Sequence, residues 1–169
     1  MKQSELKALK CVISDLFWKL CLACVFLLVG FTQVFGILQV SDNAMNPALK
    51  EGDLVLYYRI RPTPSSHELA AVAVSGSTEI RRTVAQAGDT VDIQPDGLFI
   101  NGYLQQEPGI TSETLPLKDG ITFPVTLQEG QIFVLADVRT DSEDSRIYGP
   151  VDSSAVKGRV ITVIRRRGF

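Results

Sequence analysis

Peptide-bond or ester hydrolysis without a cofactor needs a nucleophile and a base to activate it. This chain offers few of either. It has one histidine, His67, inside a Pro/Ser-rich run from Pro62 to Glu68, and three cysteines, Cys11, Cys21 and Cys24. A histidine-based triad has almost nothing to draw on, and His67 reads as an exposed loop residue. All three cysteines lie in the first 24 residues, so the remainder holds neither a disulfide framework nor a thiolate metal site. No G-x-G-x-x-G or Walker pattern occurs, so nucleotide binding has no support. A formal charge of −2 lacks the basic surplus of a nucleic-acid binder. No cofactor and no metal are expected.

Three stretches carry the polar residues that could do chemistry. The first is Ser41-Asp42-Asn43-Ala44-Met45-Asn46-Pro47, followed by Leu49, Gly52 and Asp53. The second runs from Glu79 through Arg81, Arg82, Thr83 and Val84 to Gly88-Asp89. The third is Asp137-Val138-Arg139-Thr140-Asp141-Ser142-Glu143-Asp144-Ser145-Arg146, ending in Gly149-Pro150. A structural reading stands beside the chemical one throughout: a buried Met45, a turn Pro47, and an Asp144–Arg146 salt bridge within a loop. Two residues apart, Asp144 and Arg146 share a face if that segment is a strand.

The elements that must position these stretches differ between the two ends of the chain. From Leu20 to Leu38 there are 19 residues without a charge. As a helix they span roughly 28 Å, close to the hydrocarbon thickness of a bilayer. Lys2, Lys7, Lys10 and Lys19 precede them, with only Glu5 and Asp15 opposed, and the next charge is Asp42. The expected organisation is a cytoplasmic segment 1–19, a transmembrane helix 20–38 and an extracellular domain 39–169, in a single-pass plasma-membrane protein. A cleaved signal peptide fits less well, because no A-x-A pattern follows Leu38. A lipoprotein cysteine at Cys21 or Cys24 and a buried core helix are the other readings. The first 38 residues carry +2, while 13 basic and 17 acidic residues leave the rest at −4.

Beyond Leu38, short apolar runs alternate with turns. Leu54–Ile60, Ala70–Val74, Glu79–Ala85, Asp89–Ile93, Leu98–Ile100, Gln131–Ala136 and Arg159–Arg165 read as strands, with a hairpin signal at Asn101-Gly102. No long amphipathic helix interrupts them. The expected class is mainly β, a coiled or barrel-like domain with one amino-terminal transmembrane helix. Gln105 to Gly120 reads as a loop or insertion.

Taken in this order, the three stretches resemble the boxes of bacterial type I signal peptidases: S-M-x-P, K-R-V-x-G-x-P-G-D, and G-D-N-R-x-x-S-x-D-S-R-x-x-G. The resemblance runs from about Leu20 to the carboxyl terminus. The third box is the most specific, with D-x-R-x-x-S-x-D-S-R intact in its spacing. It implies a coiled β fold and a Ser–Lys dyad, in which a serine hydroxyl attacks the signal-peptide carbonyl and a neutral, buried lysine takes its proton.

This sequence departs from the dyad at both positions. Ala44 stands where the resemblance puts the nucleophilic serine, and a methyl group attacks nothing. Arg81 stands where the lysine base belongs, and a guanidinium keeps its proton in proteins. Ala136 and Val138 replace the usual Gly and Asn. Ser41 is a poor substitute nucleophile three residues away, and Lys50 sits in an apparent turn. The resemblance makes Ser142, Asp144 and Arg146 the support of a former active site, with Ser142 available to hydrogen-bond Arg81. Asp42, Met45 and Pro47 are the candidate peptide-groove residues.

The pattern is similar to dyad-less signal-peptidase-like proteins of Gram-positive pilus gene clusters. That resemblance implies a catalytically inactive membrane protein assisting pilus assembly as an accessory factor or chaperone, with a pilin subunit or a sortase as partner. An active signal peptidase with unusual chemistry, an inactivated form of one, and a membrane-tethered structural subunit are the alternatives. The run Arg165-Arg166-Arg167 is a further candidate for contact with anionic lipid, or a solvated tail.

Overall fold

A computed structural model describes residues 2–60, 63–74, 76–110, 112–140 and 142–165, with backbone alone for 2–9, 11 and 12. Pro62, Asp141, Arg166, Arg167 and the Cys11 side chain lie outside the described residues. The chain divides into two units, Met1–Phe35 and Gly36–Phe169.

The first unit is the helix α1, Lys2–Val34. Its segment Ile13–Val34 is long and apolar enough to cross a membrane by length and composition, and none of it is buried. Phe17, Trp18, Phe26, Leu27 and Leu28 all point outward. A helix apolar all round belongs in lipid or a core, not at a water surface. Lys19 pairs with Asp15 one turn earlier, at 2.7 Å. Cys21 and Cys24 are free thiols.

The helix ends four residues before the charge-free stretch does. Phe35–Gln39 forms strand β1 instead, pairing with β2. The 20–38 window is therefore corrected at its end. Absence of charge marks apolar surroundings but does not separate a helix from a strand. At its start the helix is longer than the window, because charged residues do not break helices.

The second unit is mainly β and antiparallel, as expected. After β1 come β2 (Leu54–Tyr58), β3 (Leu69–Val74), β4 (Ser77–Gln86), β5 (Thr90–Gln94), β6 (Gly97–Ile100), β7 (Tyr103–Leu104), β8 (Val125–Thr126), β9 (Gln131–Leu135), β10 (Val151–Asp152) and β11 (Val156–Ile164). A four-residue helix α2 (Ser145–Tyr148) precedes β10. A seven-stranded sheet runs β1-β2-β11-β3-β4-β9-β10, and a four-stranded sheet runs β7-β6-β5-β8. The Asn101-Gly102 signal is the β6–β7 turn, with Asn101 at φ 53°.

Two apolar clusters matter to the site. Val84, Ala85, Val91, Ile93, Leu98, Leu127, Phe133 and Leu135 form one, drawn from both sheets. Val40, Met45, Leu49, Val55, Tyr57, Ala71 and Ile80 form the other, and anchor the first of the three stretches. β11 reaches β2 because Gly158 lets the strands close: a Cβ there would lie 2.3 Å from the Tyr58 carbonyl oxygen. That is backbone and cannot swing aside.

Candidate functional site

The loop after β1 carries Asp42 and Ala44. It has no regular structure, yet its position is determined by packing. Met45 and Leu49 are fully buried in the second cluster. The Leu49 N–H donates to the Met45 carbonyl at 2.8 Å, and Asn46 to Asn43 at 3.1 Å. The Lys50 N–H donates to Asp53 Oδ2 at 3.1 Å, closing the following turn. With Met45 and Leu49 pulled into the core at a four-residue spacing, Ala44 just before them is nearly covered, at 7% exposure.

Hydrogen bonds join this loop to the third stretch. The Val138 N–H donates to the Ala44 carbonyl at 2.8 Å. The Ala44 N–H donates to Asp42 Oδ1 at 3.1 Å. Asp42, Asn43, Ala44, Glu79, Arg81, Val138, Ser142 and Glu143 line an open cleft of about 370 Å³. All three stretches meet there.

Arg81 fills one wall from β4, with 3% of its side chain exposed. Its Nε donates to the Glu143 carbonyl at 3.0 Å, and its Nη1 to the Ile80 carbonyl at 2.8 Å. Nη1 and Nη2 both donate to Asp42 Oδ2 at 3.2 Å. Nη2 also lies 2.9 Å from Glu79 Oε2, an ion pair without hydrogen-bond alignment, so that oxygen has no hydrogen-bond partner among the described residues. The guanidinium is thus surrounded by acceptors, as a buried permanent charge must be.

Ser142 lies in the cleft wall. The Arg81 hydrogen bonds among the described residues go elsewhere, to Asp42 and to the Glu143 and Ile80 carbonyls. The longer, forked guanidinium reaches past the hydroxyl to carbonyl and carboxylate oxygens, which are stronger acceptors. The groove candidates also separate. Asp42 lines the cleft, Met45 is core with no exposed surface, and Pro47 is exposed outside the lining. Met45 has to dock the loop, and an apolar thioether does that from inside. Ser41 and Lys50 are exposed and are not part of the lining.

Asp144 and Arg146 are buried at 0% and 1% exposure. They do not sit on a strand. Asp144 caps the start of α2, accepting the Arg146 N–H on Oδ1 at 3.0 Å, and Arg146 bends back to donate Nε to Oδ1 and Nη2 to Oδ2, both at 2.9 Å. A carboxylate followed by free N–H groups turns a chain into a helix more readily than it continues a strand. Asp144 Oδ2 also accepts from Ala136 N at 3.0 Å, and Arg146 Nη2 donates to the Arg139 carbonyl at 2.8 Å.

Two more ion pairs extend from the opening of the third stretch. Arg82 makes a two-pronged pair with Asp137, at 2.8 and 2.6 Å, and this bond holds its guanidinium above the ordinary arginine range. Arg139 pairs with Glu107 from the 105–120 loop. Burial pulls the Arg139 guanidinium below its ordinary range, against the pull of Glu107 and Asp144. A smaller cavity of about 170 Å³ lies against Arg82 and Glu107, with His67 at its rim. Both charges there are already spent on Asp137 and Arg139, so the chemistry points to the larger cleft. Glu107 escaped the sequence reading, and Glu79 and Glu143 lay in the named stretches without an assigned role. Glu79, two residues from Arg81 on β4, is the local counter-charge, while Asp42 is 39 residues away.

Tyr148 on α2 has a buried hydroxyl without a hydrogen-bond partner among the described residues. Burial raises its phenol above the ordinary tyrosine range, Arg81 opposes, and the Asp144, Glu79 and Glu143 carboxylates add. A raised acid pKa means that the fold retains the neutral form. Stability is then intact below about pH 10 and falls as the unfolded chain ionises above it. Tyr148→Phe is expected to raise stability at neutral pH by up to about 1 kcal/mol. It should also flatten the decline between pH 10 and 11. Urea unfolding across that range checks both, and a steeper alkaline decline in the variant contradicts the assignment.

Comparison with known proteins gives the family. The family described as "Signal peptidase, peptidase S26" matches residues 13–164. Signal peptidase I of Bacillus caldolyticus is 31% identical over 141 residues, covering 75% of this chain and 78% of that protein. Signal peptidase IB of Staphylococcus aureus (strain Mu50 / ATCC 700699) is 26% identical over 164 residues, covering 85% of each. A crystal structure of a signal peptidase I from Enterococcus faecalis V583 aligns at TM-score 0.49 and 28% identity, over 59% of this chain and 97% of that one. With the match extending from the apolar helix through all three stretches that line or support the cleft, the chain belongs to the signal peptidase family, peptidase S26.

Proposed function

We propose that this chain is a non-cleaving member of its family. It binds a peptide segment in the cleft at the membrane and assists pilus assembly, with a pilin subunit or a sortase as partner. One observation carries the first part. The two positions from which a hydrolytic dyad would act hold Ala44 and an Arg81 saturated by acceptors. Cleavage requires a hydroxyl oxygen to bond to the scissile carbonyl carbon, its proton to pass to a base, and that proton to leave on the departing amine. Ala44 supplies no oxygen and Arg81 accepts no proton.

The relatives carry the name signal peptidase, and a cleft that binds an extended peptide keeps its main-chain and pocket contacts when the nucleophile is lost. The pilus assignment rests on the resemblance to dyad-less proteins of Gram-positive pilus clusters. The lysine excess in the amino-terminal part of α1 supports a cytoplasmic amino terminus, with the β domain outside a single-pass anchor.

The full-length protein in detergent micelles, incubated with a precursor pilin, is expected to leave it intact. Losing a hydroxyl nucleophile costs on the order of 10⁶ in rate, which puts the product of an overnight reaction below detection. Cleavage that disappears in Ser41→Ala would overturn the reading in favour of an active peptidase with unusual chemistry. Pilin and sortase genes beside this one would support the pilus role.

A further inference from the structure

The cleft holds a third obstacle to hydrolysis. We infer that Asp42 blocks catalysis independently of Ala44 and Arg81, by occupying the backbone N–H that an oxyanion would need and by anchoring a positive charge at position 81. The inference rests on the non-cleaving reading of this cleft and extends it to a residue outside the dyad.

The geometry is direct. When a hydroxyl attacks a carbonyl, the developing oxyanion is stabilised by fixed donors, and the nucleophile's own backbone N–H is a recurrent one. Here the N–H of residue 44 donates to Asp42 Oδ1 at 3.1 Å. The other carboxylate oxygen, Oδ2, receives both Nη1 and Nη2 of Arg81 at 3.2 Å. One carboxylate thus joins the two positions that a dyad would occupy. Its side chain is 38% exposed and lines the cleft, so the negative charge faces any bound peptide. Asp42 imitates an oxyanion that never leaves.

The consequence for a rebuilt dyad follows from electrostatics. With serine at 44, the tetrahedral oxygen finds its donor taken and a like charge beside it. With lysine at 81, Asp42 and Glu79 are two carboxylates placed to keep the ammonium protonated. An opposite charge within reach favours the charged form, so the amine is unavailable as a base near neutral pH. Both effects oppose the same step: formation of the oxygen–carbon bond with transfer of the serine proton to the amine. Asp42 acts through its neighbours, as a positioning residue.

The test compares four full-length proteins in detergent micelles on one secretory precursor protein carrying an uncleaved signal peptide. They are wild type, Ala44→Ser/Arg81→Lys, that pair with Asp42→Ser, and that pair with Asp42→Asn. Asparagine is nearly isosteric and keeps a carbonyl on the 44 N–H while removing the charge, which guards against a serine variant that folds poorly. The pair alone is expected to cleave at under one hundredth of the Asp42→Ser rate at pH 8, the range lost with one oxyanion donor. Its residual rate should climb at higher pH than in either triple variant. The Asp42→Asn protein should share the lower pH profile at an intermediate rate. A pair within tenfold of the Asp42→Ser triple at every pH overturns the inference, as do two folded triples that are both inert. Cleavage by wild type overturns the non-cleaving reading instead, and precursor binding by wild type tests the cleft, so the two failures are distinct.

Discussion

Arg146→Met is expected to destabilise the protein by about 3–5 kcal/mol, the range for removing one partner of a buried ion pair. The reason is what remains behind. Asp144 is fully buried and takes four hydrogen bonds, from the Arg146 N–H, Nε and Nη2 and from Ala136 N. Methionine keeps the backbone donor and much of the volume but removes both guanidinium contacts. Arg146 also holds the Arg139 carbonyl at 2.8 Å and the Leu115 carbonyl at 3.3 Å, so the 105–120 loop and the third stretch both lose a tie. Urea unfolding of the full-length protein in micelles measures the loss. Asp144→Asn in the Arg146→Met background should recover part of it, because the uncompensated charge goes. A loss under about 1 kcal/mol would mean that the pair is replaceable packing.

Most of the strands were readable because each has its own local signal. β2, β3, β4, β5, β6 and β9 are apolar runs bounded by turn residues, and Asn101-Gly102 can hardly be anything but a turn. β1 was not, because Phe35 to Leu38 continues an apolar helix without a charge between them, and Gly36 reads no differently from Gly30 inside the helix. β8 and β10 have two residues each and exist only because a longer strand offers them an edge. The site divides in the same way. Ala44 and Arg81 stand out by position within a motif, and Asp144 with Arg146 by spacing. Their partners do not, since the Arg81–Glu143 contact spans 62 residues and the Arg139–Glu107 contact 32. Only the folded domain brings those residues near. Asp42 shows the limit most clearly: it reads as a groove residue, but its bonds to Ala44 N and Arg81 follow from how Met45 seats the loop.

Val138→Trp is expected to weaken partner binding by more than tenfold while leaving the fold intact. Val138 is half-buried in the cleft wall, and the hydrogen bond from its N–H to the Ala44 carbonyl involves no side-chain atom. An indole there projects into the opening, so a peptide lying in it loses both volume and side-chain pockets. Strand-like peptide recognition divides its affinity between main-chain bonds and such pockets. Blocking one should therefore weaken binding by more than tenfold, above about 1.4 kcal/mol. In cells whose own copy is deleted, the variant should not restore pilus polymerisation. Ala44→Ser should restore it, because a hydroxyl fits where the methyl was and Asp42 still holds the backbone beneath. The pair of variants separates three functions. Failure of Val138→Trp with an unchanged melting temperature assigns the partner to the cleft. Normal pili from a folded Val138→Trp protein remove the cleft from the argument and favour a membrane-tethered subunit that works through another surface. Failure of Ala44→Ser as well would mean that the cleft tolerates no change beside Asp42, a tighter fit than peptide binding through backbone contacts alone requires.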